Sequence, residues 1–133
     1  MTKKVLKKIL LVDDDLDILA VSKYCLEELK DIEIKYLSSG EEAIKECVTF
    51  HPDLIILDVM MPKMDGITAL KAIRLLPSMA NTPVIFFTAK VQKEELDNYH
   101  QNRVIDIITK PFDPMTLASR ILEIWDLYQS KHQ

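Results

Sequence analysis

The chain has 133 residues, 48% of them hydrophobic and 29% charged, which is the size and balance of one soluble globular domain with a single core. No stretch approaches the roughly 18 consecutive apolar residues of a membrane helix, and the opening MTKKVLKKILLVDDD lacks the apolar core and cleavage site of a signal peptide, so the expected compartment is the cytoplasm. A net charge of −4, from 17 Lys and Arg against 21 Asp and Glu, argues against direct nucleic-acid binding; Lys3, Lys4, Lys7 and Lys8 read as a solvated chain end.

Residues 8–12 (KILLV) predict a first strand, followed by a stretch of helical length at 16–30. The alternating segment 32–37 (IEIKYL) predicts a second strand, and Ser39 or Gly40 can cap a helix running from Glu41 to residue 50. A third strand at 53–57 (DLIIL) leads through a turn to a helix at 66–76. A fourth at 83–87 (PVIFF) precedes a helix at 91–102, whose large apolar anchors are almost limited to Leu96 and Tyr99, making it the most weakly held element. A fifth at 104–108 (VIDII) precedes Asp113-Pro114, a cap and first-turn proline for a helix over 113–129. In that helix the stripe of Leu117, Ile121, Trp125 and Tyr128 reads as core packing. Five strands alternating with five helices predict an α/β fold with a parallel sheet covered on both faces, one domain over residues 1–133 with its core at about 6–128.

Ligands of such open sheets bind outside the carboxyl ends of the strands. There the first strand is followed by Asp13-Asp14-Asp15, the third by Asp58, the fourth by Thr88-Ala89 and the fifth by Thr109-Lys110-Pro111. Crowded carboxylates repel one another unless a cation offsets them, and hard oxygen donors suit Mg²⁺. Counting Asp13, Asp14 and Asp58 against Mg²⁺ and Lys110 leaves the rim near neutrality, so a phosphoryl group could enter only with the cation present. Asp58, ending the central strand beside the turn Met61-Pro62-Lys63-Met64-Asp65-Gly66, is the best nucleophile toward phosphorus. Thr88 and Lys110 supply a hydroxyl and a cation to stabilise the transferring group. No general base is needed for an ionised carboxylate, and His51 belongs at the other end of the same strand. Taken singly, Asp13 could merely cap a helix, Lys110 could be a surface cation and Thr88 an ordinary strand-end residue; convergence on one rim is what argues for a site. Turn and helix start explain Asp65 and Gly66 fully.

Other chemistries fail on residue counts. Gly40 and Gly66 are the only glycines and stand far apart, so neither a dinucleotide fingerprint nor a P-loop is present. Cys25 and Cys47 are isolated and His51, His100 and His132 scattered, which excludes a zinc site. Asp13, Asp15 and Asp17 match the start of a calcium loop, but Ile18 and Tyr24 stand where it needs Gly and Glu. A flavin phosphate would be repelled by the three acids after the first strand. The rival reading is a small metal-dependent phosphohydrolase with Asp13 or Asp15 as aspartyl nucleophile, which would need a substrate pocket and cap for which the chain has no room.

Together, Asp13-Asp14, the segment from Asp58 through Gly66, Thr88-Ala89 and Lys110-Pro111-Phe112 resemble the receiver domains of bacterial two-component response regulators, over about residues 6–128. The resemblance implies a flavodoxin-like, doubly wound sheet of five strands in the order 2-1-3-4-5 with five helices. It implies Asp58 as phosphoacceptor, Asp14 and Asp58 as direct Mg²⁺ ligands, Asp13 as a ligand acting through water, the backbone carbonyl of Met60 as a further ligand, and a cis Lys110-Pro111 bond. It also implies a histidine kinase or histidine phosphotransfer protein as donor. The recipient is a downstream protein or an output domain lying outside this chain, and phosphorylation-dependent dimerisation belongs to the same pattern. The chain is thus expected to be a signalling switch rather than an enzyme turning over an external substrate. Met60 and Lys90 stand where they can obstruct water, so slow loss of the phosphoryl group is expected. Ile107 replaces the aromatic residue many relatives carry, which shifts the burden of conformational signalling to the 91–102 helix, with Asn102 as its expected left-handed cap.

Overall fold

Strands whose side chains are apolar on both sides leave no face for water, and they fold here into a sheet sandwiched between helices. The computed structural model describes residues 4–89, 99 and 101–131. Its strands are β1 (Lys8–Val12), β2 (Glu33–Leu37), β3 (Leu54–Asp58), β4 (Val84–Thr88) and β5 (Val104–Thr109), all paired in parallel in the order β2-β1-β3-β4-β5. The order reverses between β1 and β3, which opens the crevice where doubly wound sheets bind ligands. β3 and β4 are buried along their whole length, whereas the alternating β2 is a half-exposed edge.

Parity assigns each side chain to one of two cores. Leu10, Val12, Ile55, Leu57, Val84 and Phe86 face α2 (Gly40–Phe50) and α3 (Gly66–Arg74). Ile9, Leu11, Leu54, Ile56, Ile85, Phe87 and Ile108 face α1 (Leu16–Cys25) and the last helix, α4 (Leu117–Lys131), whose Leu117, Ile121 and Trp125 are buried as their spacing requires. Ser39 caps α2 by accepting from the Glu42 N–H at 3.2 Å, and its own hydroxyl donates to the Glu42 carboxylate at 3.1 Å. Among the described residues, no helix is long and apolar enough to cross a membrane.

Helix ends depart from the sequence expectation. α1 stops at Cys25 rather than 30, because buried Leu26 begins a run of tighter turns (Leu29 N–H to Leu26 O, Ile32 N–H to Leu29 O) that fold Leu29 and Ile32 onto the α1/α4 core. α3 stops at Arg74 rather than 76, since Pro77 forces Leu76 into an extended conformation (φ −75°, ψ 123°) and a short 3₁₀ turn follows. α4 starts at Leu117 rather than 113: the Asp113 carboxylate and carbonyl are taken by the N–H groups of Met115 and Thr116, closing a separate turn. The helix expected at 91–102 lies outside the described residues except for Tyr99, Gln101 and Asn102, of which the first two are helical.

The left-handed residue before β5 is Arg103 (φ 58°), not Asn102. Asparagine tolerates that conformation better, but here the Asn102 carbonyl is held by two donors from Arg74, Nε at 3.0 Å and Nη2 at 2.9 Å, which fixes the preceding residue and passes the turn to its neighbour. Arg74 Nη1 also donates to the Met79 carbonyl at 2.8 Å. Burial pushes the guanidinium down to about 10, yet it remains charged at neutral pH. It thereby ties α3, the 3₁₀ turn and the start of β5 together. Arg74→Met should cost about 1.5–3 kcal/mol, the worth of hydrogen bonds to a charged group. Urea unfolding tests this, and a change below about 0.5 kcal/mol, the scatter of neutral surface changes, would show the clamp to be idle.

Candidate functional site

Three of the sheet's strands carry their inward row of the α1/α4 side past the last apolar residue into charge. β1 runs Ile9, Leu11, then Asp13; β3 runs Leu54, Ile56, then Asp58; β5 runs Ile108, then Lys110. Backbone pairing continues up to the rim, with Asp13 N–H to Leu37 O at 3.0 Å and Lys110 N–H to Thr88 O at 2.7 Å. Asp13 and Thr88 are fully buried, Asp58 is 3% exposed, and Asp14 is open to water. One carboxylate oxygen from each of Asp13, Asp14 and Asp58 lies within 4.8 Å of the others. Lys110 Nζ stands 2.6 Å from Asp13 Oδ2 and 3.3 Å from Asp58 Oδ1. The Lys110-Pro111 bond is cis.

The remaining carboxylate of the first cluster has another task. Asp15 caps α1, accepting from the N–H groups of Asp17 at 2.9 Å and Ile18 at 3.3 Å, while its own N–H donates to Asp13 Oδ1 at 2.9 Å. Asp13 is therefore not the helix cap, and Asp15, one of the two nucleophiles of the hydrolase reading, is spent on local structure. His51 sits at the opposite end of β3, in the left-handed turn (φ 52°) that closes α2.

The loop after Asp58 folds back on the strand end. Met60 N–H donates to Asp58 Oδ1 at 3.2 Å, leaving the Met60 side chain 64% exposed at the rim. Lys63 adopts φ 66°, Asp65 caps α3 through the Thr68 N–H at 2.8 Å, and the Gly66 N–H donates to the Val59 carbonyl at 2.8 Å. A Cβ on Gly66 would come within 2.1 Å of the Asp58 carbonyl oxygen. Turn and helix start explain Asp65, but not Gly66: its φ is ordinary, and the missing side chain is what lets α3 pack against the backbone of Asp58 itself. Sequence reasoning missed this because a closely approached glycine and a turn glycine look alike. Lys90 lies outside the described residues.

Charge balance at the rim follows from burial. Desolvation, then the charge of Asp13, outweighs the attraction of Lys110, and with a hydrogen bond from Asp14 pushes the Asp58 carboxyl up to about 7. Burial pulls Lys110 down, but hydrogen bonding and charge from Asp13, then Asp58, more than restore it, so its ammonium stays charged. The donor set is all oxygen, excess in negative charge and clustered at one point, which fits a hard divalent cation such as Mg²⁺ better than a soft metal.

The sequence profile of the response regulator receiver domain matches residues 9–122. This chain is a response regulator receiver domain. It is 41% identical over 120 residues to the alkaline phosphatase synthesis transcriptional regulatory protein PhoP of Bacillus subtilis, covering 89% of this chain and 48% of PhoP. It is 38% identical over 126 residues to the transcriptional regulatory protein CpxR of Escherichia coli, covering 90% of this chain and 49% of CpxR. The receiver thus spans about half the length of these curated relatives. Among solved structures, the chemotaxis protein CheY4 of Vibrio cholerae is 28% identical, with a TM-score of 0.81 over 90% of this chain and 99% of CheY4. A CheY-like receiver domain protein from Methanospirillum hungatei is 30% identical, with a TM-score of 0.79 over 97% of this chain and 100% of its own. Receiver domains are phosphoacceptor signalling switches of two-component systems, and this chain has that function; the phosphohydrolase reading is not favoured.

A raised carboxyl makes the metal-free receiver pH-sensitive with a definite sign. The folded state holds a proton on Asp58 that the unfolded chain releases, so this group's contribution to stability is greatest below the unfolded value of 3.8 and is lost as pH rises toward about 7. In EDTA, the stability of Asp58→Asn relative to the native receiver should therefore grow between pH 4 and 7 and level off above. Denaturant melts across that range measure it; a gap independent of pH would contradict the charge arrangement.

Proposed function

We propose that Asp58 accepts the phosphoryl group of the receiver, with Thr88 and Lys110 as the groups that stabilise the transfer. The observation that supports this most is the convergence of Asp13, Asp14, Asp58 and Lys110 at the carboxyl end of β3, with Asp58 ending the central strand. A carboxylate oxygen of Asp58 forms the new bond to phosphorus as the bond to the donor's imidazole nitrogen breaks, and the departing imidazole takes up a proton from water. Lys110 neutralises charge on a phosphoryl oxygen, and the Thr88 hydroxyl donates to another.

Asp14 and Asp58 directly, Asp13 through water and the Met60 carbonyl are the groups that would hold Mg²⁺. Bound there, the cation would offset the clustered acids and favour the ionised form of Asp58. The donor is a histidine kinase or histidine phosphotransfer protein. The switched surface serves a downstream protein, an output domain of a longer protein, or a second receiver; direct nucleic-acid contact and membrane insertion have no part in it. The receiver acts in the cytoplasm and turns over no external substrate. Ile107 lies on β5, half-buried against the α2/α3 core beside Phe86, where its branched side chain is stiff and small. The signal then travels through the segment before β5 rather than by an aromatic flip.

Incubation with acetyl phosphate and Mg²⁺ should label the native receiver, whereas Asp58→Asn or excess EDTA should abolish labelling. Labelling of Asp58→Asn at the native rate, or indifference to EDTA, would refute the assignment. Because the exposed Met60 side chain stands beside the acceptor, it obstructs water without activating it. Met60→Asn should shorten the lifetime of the acyl phosphate several-fold in a phosphate-release assay. An unchanged lifetime would remove Met60 from that role.

A further inference from the structure

Along the rim, β4 departs from its neighbours. Its inward row on the α1/α4 side runs Ile85, Phe87, so a phenyl ring stands where β1 and β3 present Asp13 and Asp58. Phe87 is the direct register partner of Asp58, and its ring is fully buried. Lys110 Nζ lies 5.1 Å from the ring centroid. Phe112 packs against that ring, its centroid 5.2 Å away and its plane tilted by 34°. Among the described residues, the Lys110 ammonium thus lies against Asp13, Asp58 and the face of an aromatic ring.

The face of a phenyl ring is the negative side of a quadrupole and attracts a cation within about 6 Å, most strongly where water is excluded. Of these, the two carboxylates are those a divalent cation would engage. With their charge so offset, their pull on Lys110 would fall, and a four-carbon stem with a strongly hydrated head would gain rotamer freedom by swinging into solvent. The ring is not claimed by the metal and keeps its attraction. Its position on β4, next to Asp58 in register, keeps the ammonium beside the proposed acceptor. We propose that Phe87 is a positioning residue: its ring holds the Lys110 ammonium at the site through a cation–π contact while Asp13 and Asp58 are engaged elsewhere. This rests on the reading of Lys110 given above.

The test separates charge from shape. Progressively fluorinated phenylalanines at position 87, up to the pentafluoro side chain, keep the ring's outline while draining its negative face. With acetyl phosphate and saturating Mg²⁺, the logarithm of the phosphorylation rate should fall in step with fluorination, by about 2- to 30-fold in all, the range a cation–π contact spans. The melting temperature should not follow the same order. In a Lys110→Met background the series should be flat. A flat series with Lys110 present, or an equal decline without it, overturns the proposal while leaving the role of Lys110 standing. If Lys110→Met alone leaves the rate unchanged, the reading of Lys110 fails and this proposal with it.

Discussion

The repulsion among Asp13, Asp14 and Asp58, and the ammonium of Lys110 that holds two of them together, is the constraint around which the receiver is built. Asp13 is fully buried and Asp58 nearly so, and the ammonium of Lys110 offsets only part of their charge. The site is therefore left short of positive charge, held in a geometry the backbone has already determined. On the proposed reading, a divalent cation and then a phosphoryl group would complete it, one adding the charge the other requires. On that reading, incomplete compensation would make the rim a switch rather than a static ion pair.

That geometry is a product of strand parity and register. Because alternate residues of a strand share a face, the rows ending in Asp13, Asp58 and Lys110 arise from the same pattern that buries Leu11, Ile56 and Ile108. A slip of one residue in β3 would turn Asp58 toward α2 and α3 and dismantle both core and site. The close approach of Gly66 to the Asp58 carbonyl braces the strand end from outside, and the Lys110 N–H bonded to Thr88 carries β4–β5 pairing up to the same level. Stability and site thus share their determinants, so few changes near Asp58 can touch one alone.

Strands, their parallel arrangement and the gathering of acids and lysine at one rim were legible in the sequence, because each rests on local pattern: apolar runs for buried strands, polar residues at their ends. Helix ends were less so, since Leu26, Pro77 and Asp113 act through turns whose competition with the helix depends on what packs beneath them. Least legible were residues whose partners are distant in the chain. Arg74 reads as an ordinary helix-end cation until Asn102 and Met79 are seen against it, and that contact moved the left-handed turn to Arg103. Gly66 and Phe87 read as a turn glycine and a core aromatic, and only three-dimensional neighbours distinguish them from other residues of those kinds.

The identity of the residue that carries the phosphoryl group tests the account most directly. Borohydride converts an aspartyl phosphate to homoserine, so reduction after treatment with acetyl phosphate and Mg²⁺, followed by peptide mapping, marks the acceptor. The account predicts conversion at Asp58 alone, and none when Mg²⁺ is withheld. Conversion at Asp13 or Asp15, or at Asp58 without the cation, would contradict it.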